Sequence, residues 1–150
     1  MQVQLGPLSF FGEQDHRVDV QGRISLPARF RESFRGGIVL TRGIDRCIVA
    51  YTPSQWDIFA GQLAALALNR QKNRRMRRMS FPAAYTLDTD RQGRVLLPVP
   101  LRQYAQIGEE VVIAGMGDFL EIWDKEAWLQ ESALVEEQAA LIAESLEEHP

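Results

Sequence analysis

One cysteine, Cys47, stands among 150 residues, so the chain cannot form an internal disulfide. Histidine is nearly as scarce: His16 and His149 stand alone. No Cys/His spacing of the kind that grips a metal results, and no metal site or cofactor is expected. No apolar run approaches the roughly 20 residues of a membrane helix, and no membrane partner is expected. Met1 to Phe10 lacks the basic start and long apolar stretch of a secretory leader. These absences together predict a soluble protein of a reducing compartment, the cytoplasm. Catalytic signatures are also missing. There is no Ser/His/Asp set, no Gly-rich phosphate loop and no carboxylate pair with a base beside it. An enzyme is therefore not expected.

What is present begins with charge. The net value of −3 hides an asymmetry. Residues 1–105 hold 16 Lys and Arg against 8 Asp and Glu, whereas residues 106–150 hold 1 against 12. A basic body suits a polyanionic partner, and the acidic tail reads as a solvated face. With 45% hydrophobic residues, the chain can bury a core as one domain or two small ones.

The sequence also repeats itself. "DVQGRISLP" at Asp19–Pro27 returns as "DRQGRVLLP" at Asp90–Pro98, an offset of 71. After one inserted residue the likeness resumes at offset 72, with Gly43 answering Gly115 and Trp56 answering Trp128. Two copies are too few for a solenoid, so the pattern reads as a tandem duplication. Each copy predicts a strand ("HRVDV", "AYTLDTD") and a Gly turn at Gly22 or Gly93. A β-rich run closed by Pro27 or Pro98 follows, then a short helix, at 28–33 and 99–105. Strands at 37–41 and 110–114, then "CIVAY" and "FLEIW", complete each copy. A helix closes each, with Thr52 and Asp124 as N-caps and Pro53 in the first turn. Such short strands make a poor isolated sheet. The expected remedy is that both copies contribute strands to one barrel about a pseudo-two-fold axis. The fold class is thus mainly β with short helices (α+β), ending in a C-terminal helix. The divisions are residues 10–56 for the first repeat, 57–81 for a helix and basic linker, 82–128 for the second repeat, and 129–150 for the acidic tail.

The stretches "FFGEQDHRVDVQGRISLPARFR", "YTPSQW" and "DTDRQGRVLLPVPLRQYAQIGEEVVIAGMGDFLEIWDKEAW" resemble the MraZ family. They cover roughly Phe10 to Trp128. The resemblance implies two AbrB/SpoVT-type swapped-hairpin domains. It implies a transcriptional regulator that binds repeated promoter sites on double-stranded DNA near a division and cell-wall gene cluster. Repression, autoregulation, a nucleoid location and ring-shaped homo-oligomers belong to the same expectation. Asp19, Gly22 and Arg23 carry over from the first motif, and Asp90, Gly93 and Arg94 from the second. Gln21 departs from the family's usual Lys; it can still hydrogen-bond a phosphate or an adenine edge. An antitoxin-like or partner-binding module on the same fold is the alternative, since fold does not fix function.

Arg23 and Arg94 are the expected centre of DNA contact, with Gln21, Gln92, Gly22 and Gly93 shaping the same turns. An arginine on a rigid turn can meet guanine O6/N7 or a phosphate; the competing reading is an ion pair with Asp19 or Asp90. Those two carboxylates would repel phosphate, so they are read as orienting the turn. Arg29 and Arg31 are read as supporting phosphate contacts, or else as solvated helix charge. "RQKNRRMRRM" at 70–79 holds six cations and no acid. Its Arg74, Arg75, Arg77 and Arg78 could meet DNA phosphates, sit in a solvated linker, or face an acidic tail of a neighbouring subunit. Tyr51, Trp56, Trp123 and Trp128 are read as core. Leu134, Ala139, Leu141, Ile142 and Leu146 mark an amphipathic acidic helix for subunit packing or solvent.

Overall fold

The structure, a computed structural model, describes residues 8–148. The leader reading at Met1–Phe10 rests largely on residues outside that range, as does His149. The elements run β1 (Glu13–Arg17), β2 (Arg23–Ser25), α1 (Ala28–Arg31) with a 3-10 turn at Glu32–Phe34, β3 (Ile38–Arg42), β4 (Ile48–Tyr51), α2 (Pro53–Ala64) and α3 (Gln71–Ser80). The second half repeats the order: β5 (Tyr85–Leu87), β6 (Arg94–Leu96), α4 (Val99–Tyr104), β7 (Glu110–Gly115), β8 (Leu120–Asp124) and α5 (Lys125–Glu148).

All strand pairs are antiparallel, and the six-stranded sheet has the order β1-β7-β8-β4-β3-β5. Exchanging each strand for its repeat mate (β1 with β5, β3 with β7, β4 with β8) returns the same order reversed. β1 pairs with β7 of the other half, and β5 with β3, so each half lends its first strand to its mate. The remaining strands, β2 and β6, form a separate two-stranded ladder. Its central pair is Ile24 with Val95, residues equivalent at offset 71. In the large sheet Val49 lies opposite Glu121, equivalent at offset 72. The pseudo-two-fold axis passes through both pairs. This is the α+β exchange of strands about a pseudo-two-fold axis expected from the repeat, and it agrees with the swapped-hairpin domains that the resemblance implies.

Strand alternation separates two cores. Ile38, Leu40, Ile48, Ala50, Val111, Ile113, Leu120 and Ile122 face the β2–β6 ladder, packing with Ile24, Leu26, Val95, Leu97, Phe30, Phe34 and Leu101. Phe10 caps this layer, stacked on Phe34 at 5.3 Å and edge-on to Phe30 at 5.2 Å. The other face carries Val39, Val49, Tyr51 and Trp123, covered by Trp56 and Phe59 of α2 and by Ala127 and Trp128 of α5. The four aromatics read as core belong here, as Trp123–Trp128 and Tyr51–Trp56 pairs, each at 5.8 Å.

Most element ends follow local chemistry. Thr52 Oγ1 accepts from Gln55 N at 3.2 Å, and Pro53 opens α2. Asp124 Oδ2 accepts from Ala127 N at 3.4 Å at the start of α5. β1 sits earlier than "HRVDV" suggests, at Glu13–Arg17. Asp19 is already committed to the turn, its N–H donating to the Arg23 carbonyl at 2.9 Å. The larger correction concerns the basic run. It is not an open linker but the helix α3. Arg, Lys, Gln and Met are good helix formers, and the helix has a surface to cover: Ser80 O accepts from buried Thr41 Oγ1 at 2.6 Å.

Candidate nucleic-acid interface

Both Asp-x-x-Gly-Arg turns have one geometry. Asp19 Oδ1 accepts from the Gln21 and Arg23 backbone N–H groups at 2.9 Å, and Oδ2 from Arg23 Nε at 2.9 Å. Asp90 does the same with Gln92 N and Arg94 N at 2.9 Å and Arg94 Nε at 2.7 Å. Gly22 and Gly93 have φ of +83° and +75°, a conformation that a Cβ disfavours. Three N–H donors hold each carboxylate in its charged form. The Arg backbone hydrogen bond is the foremost cause of the lowered pKa of both Asp19 and Asp90, outweighing partial burial.

The aspartates therefore orient the turns, and the ion pair that competed with DNA contact in the sequence is present. It does not exhaust the arginines. Nε of each faces its Asp, while the Nη groups keep further donor capacity; Arg23 Nη1 comes no nearer than 3.9 Å to Asp90 of the other repeat. The side chains of Arg23 and Arg94 stay 29% and 31% exposed. Leu26 N donates to the Gly93 carbonyl and Leu97 N to the Gly22 carbonyl, both at 2.9 Å. The two turns are thereby locked together at the ends of one short ladder.

Arg31, read as a supporting phosphate contact, is tied into the protein. Arg31 Nε donates to the Leu26 carbonyl at 3.0 Å, and its side chain lies across Gly93 of the other repeat. Arg102, its repeat mate, donates to the Leu97 carbonyl at 2.9 Å and lies across Gly22. Each arginine thus supports the opposite turn, which corrects the view of Arg31 as a solvated helix charge. The sequence pairs Arg102 with Arg31 at an offset of 71 but gives it no role, because the turn it supports lies in the other repeat. Arg29 remains exposed and lies over its neighbour Phe30, 4.4 Å from the ring centroid.

Nor does the sequence give exposed Arg91 a role. It occupies the second turn's tip, where the first has fully exposed Val20. With Arg31 and Arg35 it lines a recess of about 300 Å³ beside Asp90. The second turn is the more basic of the two.

The four α3 arginines are split. Arg74 Nη1 donates to the Leu68 carbonyl at 2.8 Å, and Arg77 lies over Phe81 at 5.7 Å. Arg75 and Arg78 are exposed. All four ride on the sheet face opposite the β2–β6 ladder, since α3 is bonded to Thr41, on the Val39 side. The structure therefore does not bring them to the twin turns. Cys47 is fully buried and burial pushes its thiol pKa up, so it is no nucleophile. Among the described residues no group of three His, Cys, Asp or Glu could hold a metal ion, and no helix is long and apolar enough to cross a membrane.

A family model described as "MraZ protein, putative antitoxin-like" matches residues 9–79 and again residues 80–147. The chain is similar to proteins named "Transcriptional regulator MraZ" in several bacteria. It is 38% identical to that of Roseiflexus castenholzii over 139 residues, 93% of this chain and 97% of the relative. It is 42% identical to that of Thermomicrobium roseum over 137 residues, 91% of this chain and 96% of the relative. With Lactiplantibacillus plantarum the identity is 43% over 121 residues, 81% and 86% of the two chains.

Proposed function

The chain belongs to the MraZ family, and from that premise we propose that it is a cytoplasmic, nucleoid-associated transcriptional regulator whose twin turns read repeated promoter sites on double-stranded DNA. The gene cluster is the division and cell-wall cluster implied by the resemblance, with repression and autoregulation as the mode and a ring-shaped homo-oligomer as the working form. One observation carries the reading. Two rigid, dyad-related turns each present an arginine whose Nε is fixed by Asp19 or Asp90, with further donors to spare. Anchoring one end of a guanidinium lowers the entropy cost of a bidentate contact to guanine or phosphate. Gln21 and Gln92, exposed beside them, add amide donors and acceptors. Arg29 and Arg91 add charge for phosphates, which position the protein without reading sequence.

The test is binding to the chain's own upstream DNA and to a scrambled fragment across a salt series. Arg23→Ala and Arg94→Ala should each cost on the order of 1–3 kcal/mol per engaged site and remove the preference for the upstream fragment. Arg91→Ala should weaken both fragments alike and flatten the salt slope. Retained preference in both Arg23→Ala and Arg94→Ala would mean the arginines only brace the turns. The antitoxin-like alternative, which the family description mentions, fits less well. Both turns are intact, and the tail is the ordered helix α5 rather than a segment that folds around a partner.

A further inference from the structure

A cleft of about 570 Å³ opens between α5 and the sheet. Its place becomes clear from the pseudo-symmetry. Gly115, Met116, Trp123 and Glu131 line it; at offset 72 they answer Gly43, Ile44, Tyr51 and Phe59. Those four line a recess of only about 140 Å³ over the first repeat, and Met76 and Ser80 of α3 line it with them. α3 therefore fills the first slot, and the second stands open.

The sequence explains the difference. After α2 the chain breaks at residues 65–70, with Asn73 Nδ2 and Arg74 Nη1 donating to the Ala67 and Leu68 carbonyls, and α3 folds back. After Trp128 no Gly, Pro or Asn interrupts residues 129–148, and α5 runs straight past its slot.

The open slot is also chemically altered. Val49 and Phe59 of the first repeat become Glu121 and Glu131 in the second; Ala64 becomes Glu136, and at offset 71 Ala84 corresponds to Glu13. With Asp45 these place five carboxylates around a floor that includes Trp123 and Trp128. None of the five is in an ion pair among the described residues. Carboxylates beside aromatic faces suit a guanidinium, which both pairs and stacks.

We propose that this acidic cleft receives the outward face of α3 from a second copy of the chain. α3 is the densest run of cations in the sequence, and none of Arg70, Lys72, Arg74, Arg75, Arg77 or Arg78 has an acidic partner among the described residues. Its exposed Arg75 and Arg78 lie away from the twin turns, on the sheet face opposite the ladder. The donor surface belongs to repeat one and the acceptor to repeat two. The contact is therefore heterologous, head to tail, and leaves a free donor and a free acceptor at the ends of any open chain, so it continues into a ring or a filament. This rests on the self-assembly in the proposed function and supplies its interface.

The experiment reverses charge on each surface. R75E/R78E and E131K/E136K should each convert the assembly, by light scattering at micromolar concentration, to a species near 17.0 kDa. Mixing the two variants should restore an assembly, because each carries the surface the other needs. Trp fluorescence should shift on mixing, since Trp123 and Trp128 line the cleft. High salt should dissociate the wild-type assembly, as Debye screening shortens to about 3 Å at 1 M. A wild-type chain that stays monomeric yet binds upstream DNA would overturn this inference and leave the DNA reading standing. Assembly that survives either reversal overturns it, as does a mixture that stays monomeric. Weakened binding to all DNA by R75E/R78E with assembly intact would assign α3 to DNA instead.

Discussion

At the scale of single residues, Asp19 and Asp90 hold the twin turns although each keeps about a third of its side chain exposed, 33% and 35%. Each accepts three N–H donors and so holds a four-residue turn and one arginine. Their pKa values lie below the ordinary carboxylate range. Their contribution to stability is thus complete above the unfolded value, about 3.9, and is lost as pH falls through the folded value. Protection factors of the Gln21, Arg23, Gln92 and Arg94 amides, which remove the intrinsic pH dependence of exchange, should hold at pH 5 and fall only below pH 4. A fall in protection between pH 6 and 7 would show that another group holds the turns. The orienting role of these aspartates was legible in the sequence because donor, acceptor and glycine lie within five residues. The support from Arg31 and Arg102 was not, because each reaches a turn some 60 to 80 residues away, and no local pattern records that distance.

Elements show the same division between local and distant causes. The start of α2 was readable from Thr52 and Pro53, which cap it within one turn. That the basic run 70–79 would be helical depended on the slot beneath it, formed by β3, β4 and α2. Turn conformation lies between these cases. Gly22 and Gly93 share a left-handed backbone, but their surroundings differ. A Cβ on Gly22 would meet the Arg102 guanidinium at 3.0 Å, whereas on Gly93 it would overlap the Arg31 stem, with Cδ at 2.5 Å. Gly22→Ala should therefore cost roughly the 1–2 kcal/mol of a strained backbone, and Gly93→Ala clearly more. In a chain of this size each kcal/mol lowers Tm by about 2–4 °C. Adding Arg31→Ala should narrow the gap between the two glycine variants. Equal melting temperatures for Gly22→Ala and Gly93→Ala would show that Arg31 yields freely.

For the whole molecule, the duplication and the sheet order have one consequence that neither repeat shows alone. A half cut between Phe81 and Pro82 keeps β1 to β4, but β1 loses its partner β7 and β2 loses β6. β4 loses β8 and β3 loses β5. Only the β3–β4 pairing survives within the half, and an isolated hairpin is at best marginal in water. The core suffers equally, since Ile24, Leu26, Val95 and Leu97 bury one another across the dyad layer. Neither half should fold as a monomer. Each should be unfolded or paired with itself, and mixing residues 1–81 with 82–150 should give a folded 1:1 complex. That complex should outcompete the self-pair of the second half, because Glu121 opposite Val49 becomes Glu121 opposite Glu121 when that half pairs with itself, and like charges directly opposed are unfavourable. Size-exclusion light scattering with amide spectra of the separate and mixed halves decides the matter. A folded monomer from either half alone would mean that the strand exchange is dispensable and that each repeat carries its own complete core.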